Sequence, residues 1–267
     1  MINLYINFIY FFILGLVIGS FLNCVIYRLE TGKSFLHGRS FCPQCNHTLF
    51  ALDLIPIFSF LFLKGRCRYC QKPISVQYPL VEFFTGLLFL FIFSHTSYNM
   101  LYALYSLIIF CFLIIVFVYD LRHYIIPDEV IYPAIVISVL YNVVSYYASH
   151  SIMNNLYAAL GASGFFLFIY LISKGQWLGF GDVKLALLMG LFLGSPNILV
   201  ALFLSFFIGA VVGLFLIAKK QKTIKSEVPF GPFLVIGTTI AFLFGQQIID
   251  WYSNLFFFII PWIRVLP

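Results

Sequence analysis

The chain has 267 residues, of which 63% are hydrophobic, 20% are aromatic and only 9% are charged, with a mean hydropathy of +1.04. A soluble domain carries about 25% charged residues, so this composition excludes a water-soluble globular protein and indicates a polytopic membrane protein. The formal charge of +6 does not indicate nucleic-acid binding, because the basic residues lie in short loops where they orient helices.

In chain order, apolar segments at 5–27, 80–97, 100–119, 128–148, 155–173, 183–194, 197–218 and 231–250 predict an all-α membrane protein with about eight transmembrane helices. Helices are the default because lipid leaves no partner for open backbone groups. The sixth segment is short against the roughly 17–25 residues that normally span. The first segment lacks a basic n-region and a small-residue cleavage site, so it reads as a helix, not a signal peptide. The expected organisation is a first transmembrane helix at 1–27, a hydrophilic insertion at 28–79, a helical membrane domain at 80–253 and an apolar tail at 254–267. Pro261 is expected to break that tail, with Trp262 and Arg264 anchoring it at the outer interface. No internal repeat is expected.

Charge sets the expected orientation. With the N-terminus outside, Arg28, Lys33, Arg39, Lys64, Arg66, Arg68 and Lys72 fall inside in one loop. Arg122, Lys174, Lys184, Lys219, Lys220, Lys222 and Lys225 also fall inside, leaving Arg264 outside. The bias follows the positive-inside rule.

The insertion holds Cys42-Pro43-Gln44-Cys45 and Cys67-Arg68-Tyr69-Cys70. Two CxxC knuckles offer four thiolates to one tetrahedral ion, and Zn²⁺ suits four sulfurs. Its binding energy can fold a loop with little core of its own. Four thiolates leave no open position, so the expected role is structural. Cys24 and Cys111 lie within helices and read as small buried packing residues.

Acids are scarce, at 9 Asp+Glu, and an ionisable group near hydrocarbon costs about 2.5–3.5 kcal/mol on insertion scales, which marks it as functional. Asp120 follows an apolar run, and Asp182 follows Gly179-Phe180-Gly181. Both are expected at the cytoplasmic face. Two carboxylates at one depth suggest shared-proton chemistry. Taken singly, each also fits a bland role: Asp182 as an N-cap, Asp120 or Asp128 as caps or partners of Arg122.

Asp120 with Ile126-Pro127-Asp128 downstream, and the run Gly179-Phe180-Gly181-Asp182-Val183-Lys184, resemble the type IV prepilin peptidase family, which are GxGD intramembrane aspartyl proteases. The resemblance extends to the run from Gly19-Ser20-Phe21-Leu22-Asn23 to Leu29, both CxxC pairs, Tyr78-Pro79-Leu80-Val81-Glu82 and Pro229-Phe230-Gly231-Pro232. It implies catalytic acids Asp120 and Asp182, supported by Gly179 and Gly181. It also implies cleavage of the leader of prepilin or pseudopilin substrates at the cytoplasmic face of a bacterial cytoplasmic membrane. N-methylation of the new N-terminus with S-adenosylmethionine is implied too, associated with the region 28–79. Gln77 stands where the family often has Arg. Presenilin-like proteases share GxGD but need a Pro-Ala-Leu triplet, absent here. A proton-coupled transporter would favour acids near the midplane. The expected partners are pilin-like substrates and the lipid bilayer, with no nucleic acid.

Overall fold

The computed structural model describes residues 2–32, 38–96, 99–149, 152–219 and 228–263. Lys33, Lys220, Lys222, Lys225, Arg264 and the side chain of Trp262 lie outside the described residues. Within them are α1 (Ile2–Thr31), a 3₁₀ turn (Ala51–Leu54), α2 (Phe58–Phe62), α3 (Gln77–Thr96), α4 (Met100–His123), α5 (Asp128–Ser149), α6 (Ile152–Ser173), α7 (Phe180–Leu193), α8 (Asn197–Ala218) and α9 (Gly231–Ile263). The only β pairing among the described residues is two isolated bridges, Phe41 with Thr48 and Arg66 with Pro73.

Seven helices are long and apolar enough to cross a membrane, and the chain is a multi-pass membrane protein. The sixth of the eight expected segments is the one that falls short: it is α7, with 14 residues. Several helices outrun the apolar segments. α4 continues through Asp120 to His123, and α7 begins at Phe180, ahead of Asp182. α9 continues past Pro261 to Ile263, where a break was expected. Hydropathy stops at the first polar residue, whereas backbone hydrogen bonding does not.

The chain divides into two compact units, 1–115 and 116–267. In the first, α1 and α3 pack antiparallel in one register. Phe11 stacks on Phe93 at 4.0 Å. A Cβ on Gly15 would lie 2.7 Å from Gly86 Cα, and one on Gly19 would lie 2.8 Å from Glu82 Cα. Asn23 Nδ2 donates to the Tyr78 carbonyl at 3.0 Å. Small residues four apart let the backbones approach closely, the usual basis of helix association in lipid. The insertion is tied to this pair where Glu82 Oε2 accepts the Ile57 N–H at 2.7 Å. Ile57 has φ 61°, a left-handed conformation that costs a β-branched residue about 1–3 kcal/mol and persists only when its surroundings hold it.

In the second unit α7 is the core. Leu185, Ala186, Leu188 and Met189 are at most 1% exposed, and α5, α6 and α9 pack against the helix. Gly190 meets the backbone of Ala159 on α6. Phe192 stacks on Phe242 of α9 at 5.2 Å. α8 and α9 pair antiparallel, Gly237 on Ala201 and Ser205, Gly209 on Phe233.

Gly190→Ala would force a Cβ into the Ala159 backbone, which cannot swing aside as a side chain could. It is expected to destabilise the protein by about 1–3 kcal/mol. Gly213→Ala, which meets nothing within 4 Å, should be neutral or slightly stabilising. Thermal unfolding of the two variants in detergent checks the contrast.

Candidate active site and candidate metal centre

Asp120 occupies the last turn of α4. The Tyr124 N–H donates to its carbonyl at 2.9 Å, and Tyr124, at φ 58°, turns the chain out of the helix. The Asp120 side chain is 4% exposed. The backbone N–H of Gly231, first residue of α9, donates to its carboxylate. The approach is so close that a Cβ on Gly231 would lie 2.6 Å from Asp120 Oδ2.

Asp182 is the third residue of α7, not its N-cap. Gly179 is the cap; Asp182 N–H donates to the Gly179 carbonyl at 3.1 Å, and Asp182 Oδ2 accepts the Gly179 N–H at 3.2 Å. The bland role is therefore partly real, since one oxygen does close the helix start. A solvated cap needs no burial, yet Asp182 is 8% exposed. It also feels the charge of Asp120. The two acids thus occupy one site in the second unit, on α4 and α7.

Gly181 brings them there. A Cβ at this position would lie 3.0 Å from Ile126 Cβ, so the missing side chain lets the start of α7 press against the turn after Asp120. At Gly179 an added Cβ would meet nothing nearer than 3.8 Å. Asp128, the first residue of α5, lies outside the pair. It is exposed and binds Lys184 Nζ at 2.6 Å, and that ammonium sits 4.8 Å over the Tyr132 ring. This ion pair closes the same junction from its wet side.

The site is recessed. Gly190 meets Ala159, and Phe180 lies 5.5 Å from the Tyr170 ring, so α7 runs antiparallel to α6 with Asp182 level with about residue 168. Ser173 ends α6, placing the acid about 8 Å short of that end at ~1.5 Å per residue. The opposite end of α7 is sealed. The Leu191 carbonyl, left without a partner inside a finished helix, accepts Asn142 Nδ2 at 3.0 Å and Asn155 Nδ2 at 3.2 Å. Asn155 also donates to Asn142 Oδ1 at 2.7 Å.

The four cysteines of the insertion converge: their sulfurs lie within 4.8 Å of one another, and Cys42 and Cys70 are 3.9 Å apart. Four sulfurs about 2.3 Å from one tetrahedral ion would be about 3.8 Å apart, so the set could hold a metal. All are reduced. Burial pushes the Cys67 thiol up, but N–H groups of Cys70 and Tyr69 and the neighbouring thiols bring it down to about 7. The His47 N–H draws the Cys45 thiol down, yet desolvation and the Cys42 and Cys70 thiols win and push it up to about 11. One thiolate forms readily and opposes the next, a conflict that a dication among them resolves.

The insertion contains a repeat that the sequence reading missed. Cys42 N–H donates to the His47 carbonyl and Asn46 N–H to the Cys42 carbonyl. Cys67 with Lys72, and Gln71 with Cys67, repeat the pattern. Asn46 at φ 55° matches Gln71 at φ 57°. The signal was present as Cys-x-x-Cys followed by Asn-His or Gln-Lys. Gly231 was visible only as part of a motif, since nothing local says that it faces Asp120. Cys24 and Cys111 are only half-buried, less than their packing role suggested.

Residues 13–96 match the bacterial peptidase A24 N-terminal domain, and residues 107–214 match the type IV leader peptidase family. The chain is 32% identical to a prepilin leader peptidase/N-methyltransferase of Aeromonas hydrophila, over 92% of this chain and 93% of that protein. It is 33% identical to the protein of that name in Bacillus subtilis (strain 168), over 91% and 97%. The Legionella pneumophila protein is 32% identical, over 89% and 91%. No solved structure matches the chain.

Purified protein in reducing buffer is expected to carry about one divalent ion per chain. Cys42→Ser or Cys67→Ser should lower that content and loosen the insertion, and Cys24→Ser should not. Elemental analysis with thiol counting checks this; a metal-free protein with the four cysteines in disulfides would contradict it.

Proposed function

We propose that this chain, which belongs to the type IV leader peptidase family, cleaves the leader of prepilin-like substrates with Asp120 and Asp182 and N-methylates the new N-terminus. The observation that carries the peptidase reading is the burial of two carboxylates within electrostatic reach of each other. Two carboxylates held close in a poorly solvated site share one proton. The ionised member takes a proton from water, and that water attacks the scissile carbonyl. The protonated member donates to the developing oxyanion and then to the departing amine. Gly179 and Gly231 hold the two carboxylates through backbone donors, so neither has to rotate into place.

Cys42, Cys45, Cys67 and Cys70 hold a structural Zn²⁺, which folds the insertion and closes no bond in the reaction. S-adenosylmethionine supplies the methyl group. The region 28–79, on the helices of the first unit, serves the methyl transfer, and 80–253 carries the peptidase acids. The charge bias of the loops supports an orientation with the insertion and both acids on the cytoplasmic side and the N-terminus outside. There the acids meet a scissile bond that precedes the membrane helix of the substrate.

Asp120→Asn or Asp182→Asn is expected to lower leader cleavage by about 10²–10⁴-fold or more, with the protein still folded and inserted. Asp128→Asn should be far milder. Gly231→Ala displaces the Asp120 carboxylate, and a displacement near 1 Å can cost about a hundredfold. Mass spectrometry of the product N-terminus, from purified protein with prepilin and labelled S-adenosylmethionine, checks all of these. Normal cleavage by Asp182→Asn would sink the aspartyl mechanism.

A further inference from the structure

The first unit contains a buried carboxylate for which the aspartyl chemistry has no use. Glu82, in the second turn of α3, is 8% exposed. Its Oε2 accepts the Ile57 N–H at 2.7 Å, and the Ser20 hydroxyl of α1 donates to it as well. A carboxylate has about four acceptor positions, so these two neutral donors leave room for more. On the same face of α1, Asn23 is 3% exposed, and its Nδ2 reaches the Tyr78 carbonyl one turn before Glu82. Asn23 Oδ1 is buried and has no hydrogen-bond partner. The α1–α3 seam therefore offers a buried acid and, about one helical turn away, a buried open acceptor. Such a pair suits a cationic donor that arrives from outside.

The depth identifies the donor. Glu82 lies five residues into α3, about 8 Å from its start. Cleavage ahead of a membrane helix leaves a primary ammonium at the head of an apolar segment. A charge at that depth is retained only where a counter-charge meets it. Methyl transfer then needs the same nitrogen deprotonated, whereas an ordinary α-amine, with a pKa of about 7.7–8.0, is mostly protonated at neutral pH.

We infer that Glu82, assisted by Asn23 Oδ1, binds the new N-terminal ammonium of the cleaved product and is the base for its methylation. The inference rests on the function proposed above. Glu82 takes one proton from the ammonium. The freed nitrogen pair attacks the methyl carbon of the donor as the sulfur–methyl bond breaks, and the sulfur keeps that bonding pair. The charge that was on the sulfonium passes to the methylated nitrogen, which sheds a second proton on release. Ile57 N–H and the Ser20 hydroxyl, the groups facing Glu82, hold the carboxylate in position throughout.

The test uses the full-length protein in nanodiscs. Glu82→Gln keeps an oxygen for the Ile57 N–H, so cleavage and metal content should stay near wild type. Methylation of pre-cleaved pilin should fall by about a hundredfold, the contribution expected of a general base. A binding readout separates this from a structural role. Wild-type protein should bind cleaved pilin with a free N-terminus at least about tenfold more tightly than the same pilin N-acetylated, and Glu82→Gln should lose that preference. Unchanged methylation, or equal wild-type binding of free and acetylated pilin, overturns the inference. So does joint loss of metal, cleavage and methylation, which marks Glu82 as a structural tie alone. If Glu82→Gln does not fold, the wild-type comparison still decides. A wild-type protein that neither cleaves nor methylates would overturn the functional reading itself, and the inference with it.

Discussion

α7 has 14 residues, about 21 Å of helix at ~1.5 Å per residue, and the hydrocarbon core of a bilayer is about 30 Å thick. A helix of that length cannot cross alone, and the second unit is built around that shortfall. α7 is apolar on all sides and buried among α5, α6 and α9, as a core helix should be. At its far end the Leu191 carbonyl has outrun the helix's own donors, and Asn142 and Asn155 cap it. Its register on α6 leaves its near end short of the end of that helix, and Asp182 stops with it. The recess of the site follows from the length of one helix.

A carboxylate so placed loses its hydration, and backbone donors meet it instead. Backbone N–H groups at two helix starts, Gly179 of α7 and Gly231 of α9, donate to Asp182 and Asp120. Helix N-termini carry unsatisfied donors and a favourable dipole. They stabilise negative charge without a counter-ion, whereas a lysine partner would compete with the substrate and fix both acids as anions. The lysine nearest in sequence, Lys184, is held off by Asp128 and the Tyr132 ring. The junction gains an ion pair that leaves the acids alone.

The first unit solves a different problem. Its insertion has too few buried apolar residues to order itself, and no residue of the 3₁₀ turn or α2 is buried. Two thiol knuckles of the same backbone form bring four sulfurs together. A hydrogen bond from the N–H of a strained Ile57 to the Glu82 carboxylate ties the segment between them to the α1–α3 pair. That pair depends in turn on glycines spaced so that two backbones touch. The acids of the second unit and the thiols of the first therefore rest on separate scaffolds, in keeping with two family domains matched one after the other along the chain.

Hydropathy alone revealed the membrane class and nearly every span, because lipid permits few structures and 20 or so apolar residues have few other uses. The four cysteines were legible because their ligand chemistry is local: each knuckle is four residues. Asp120 and Asp182 stood out because acids are rare here, and the family resemblance paired them. Nothing in either local stretch brings the two together. That was decided by Gly181 against Ile126, Gly231 against Asp120 and the truncation of α7, each a contact between segments far apart in the chain. Nor could hydropathy set the register of α1 on α3, the place of α7 in the core or the helical start ahead of Asp182. An apolar residue reads the same whether it faces lipid or another helix, so only tertiary packing distinguishes the two.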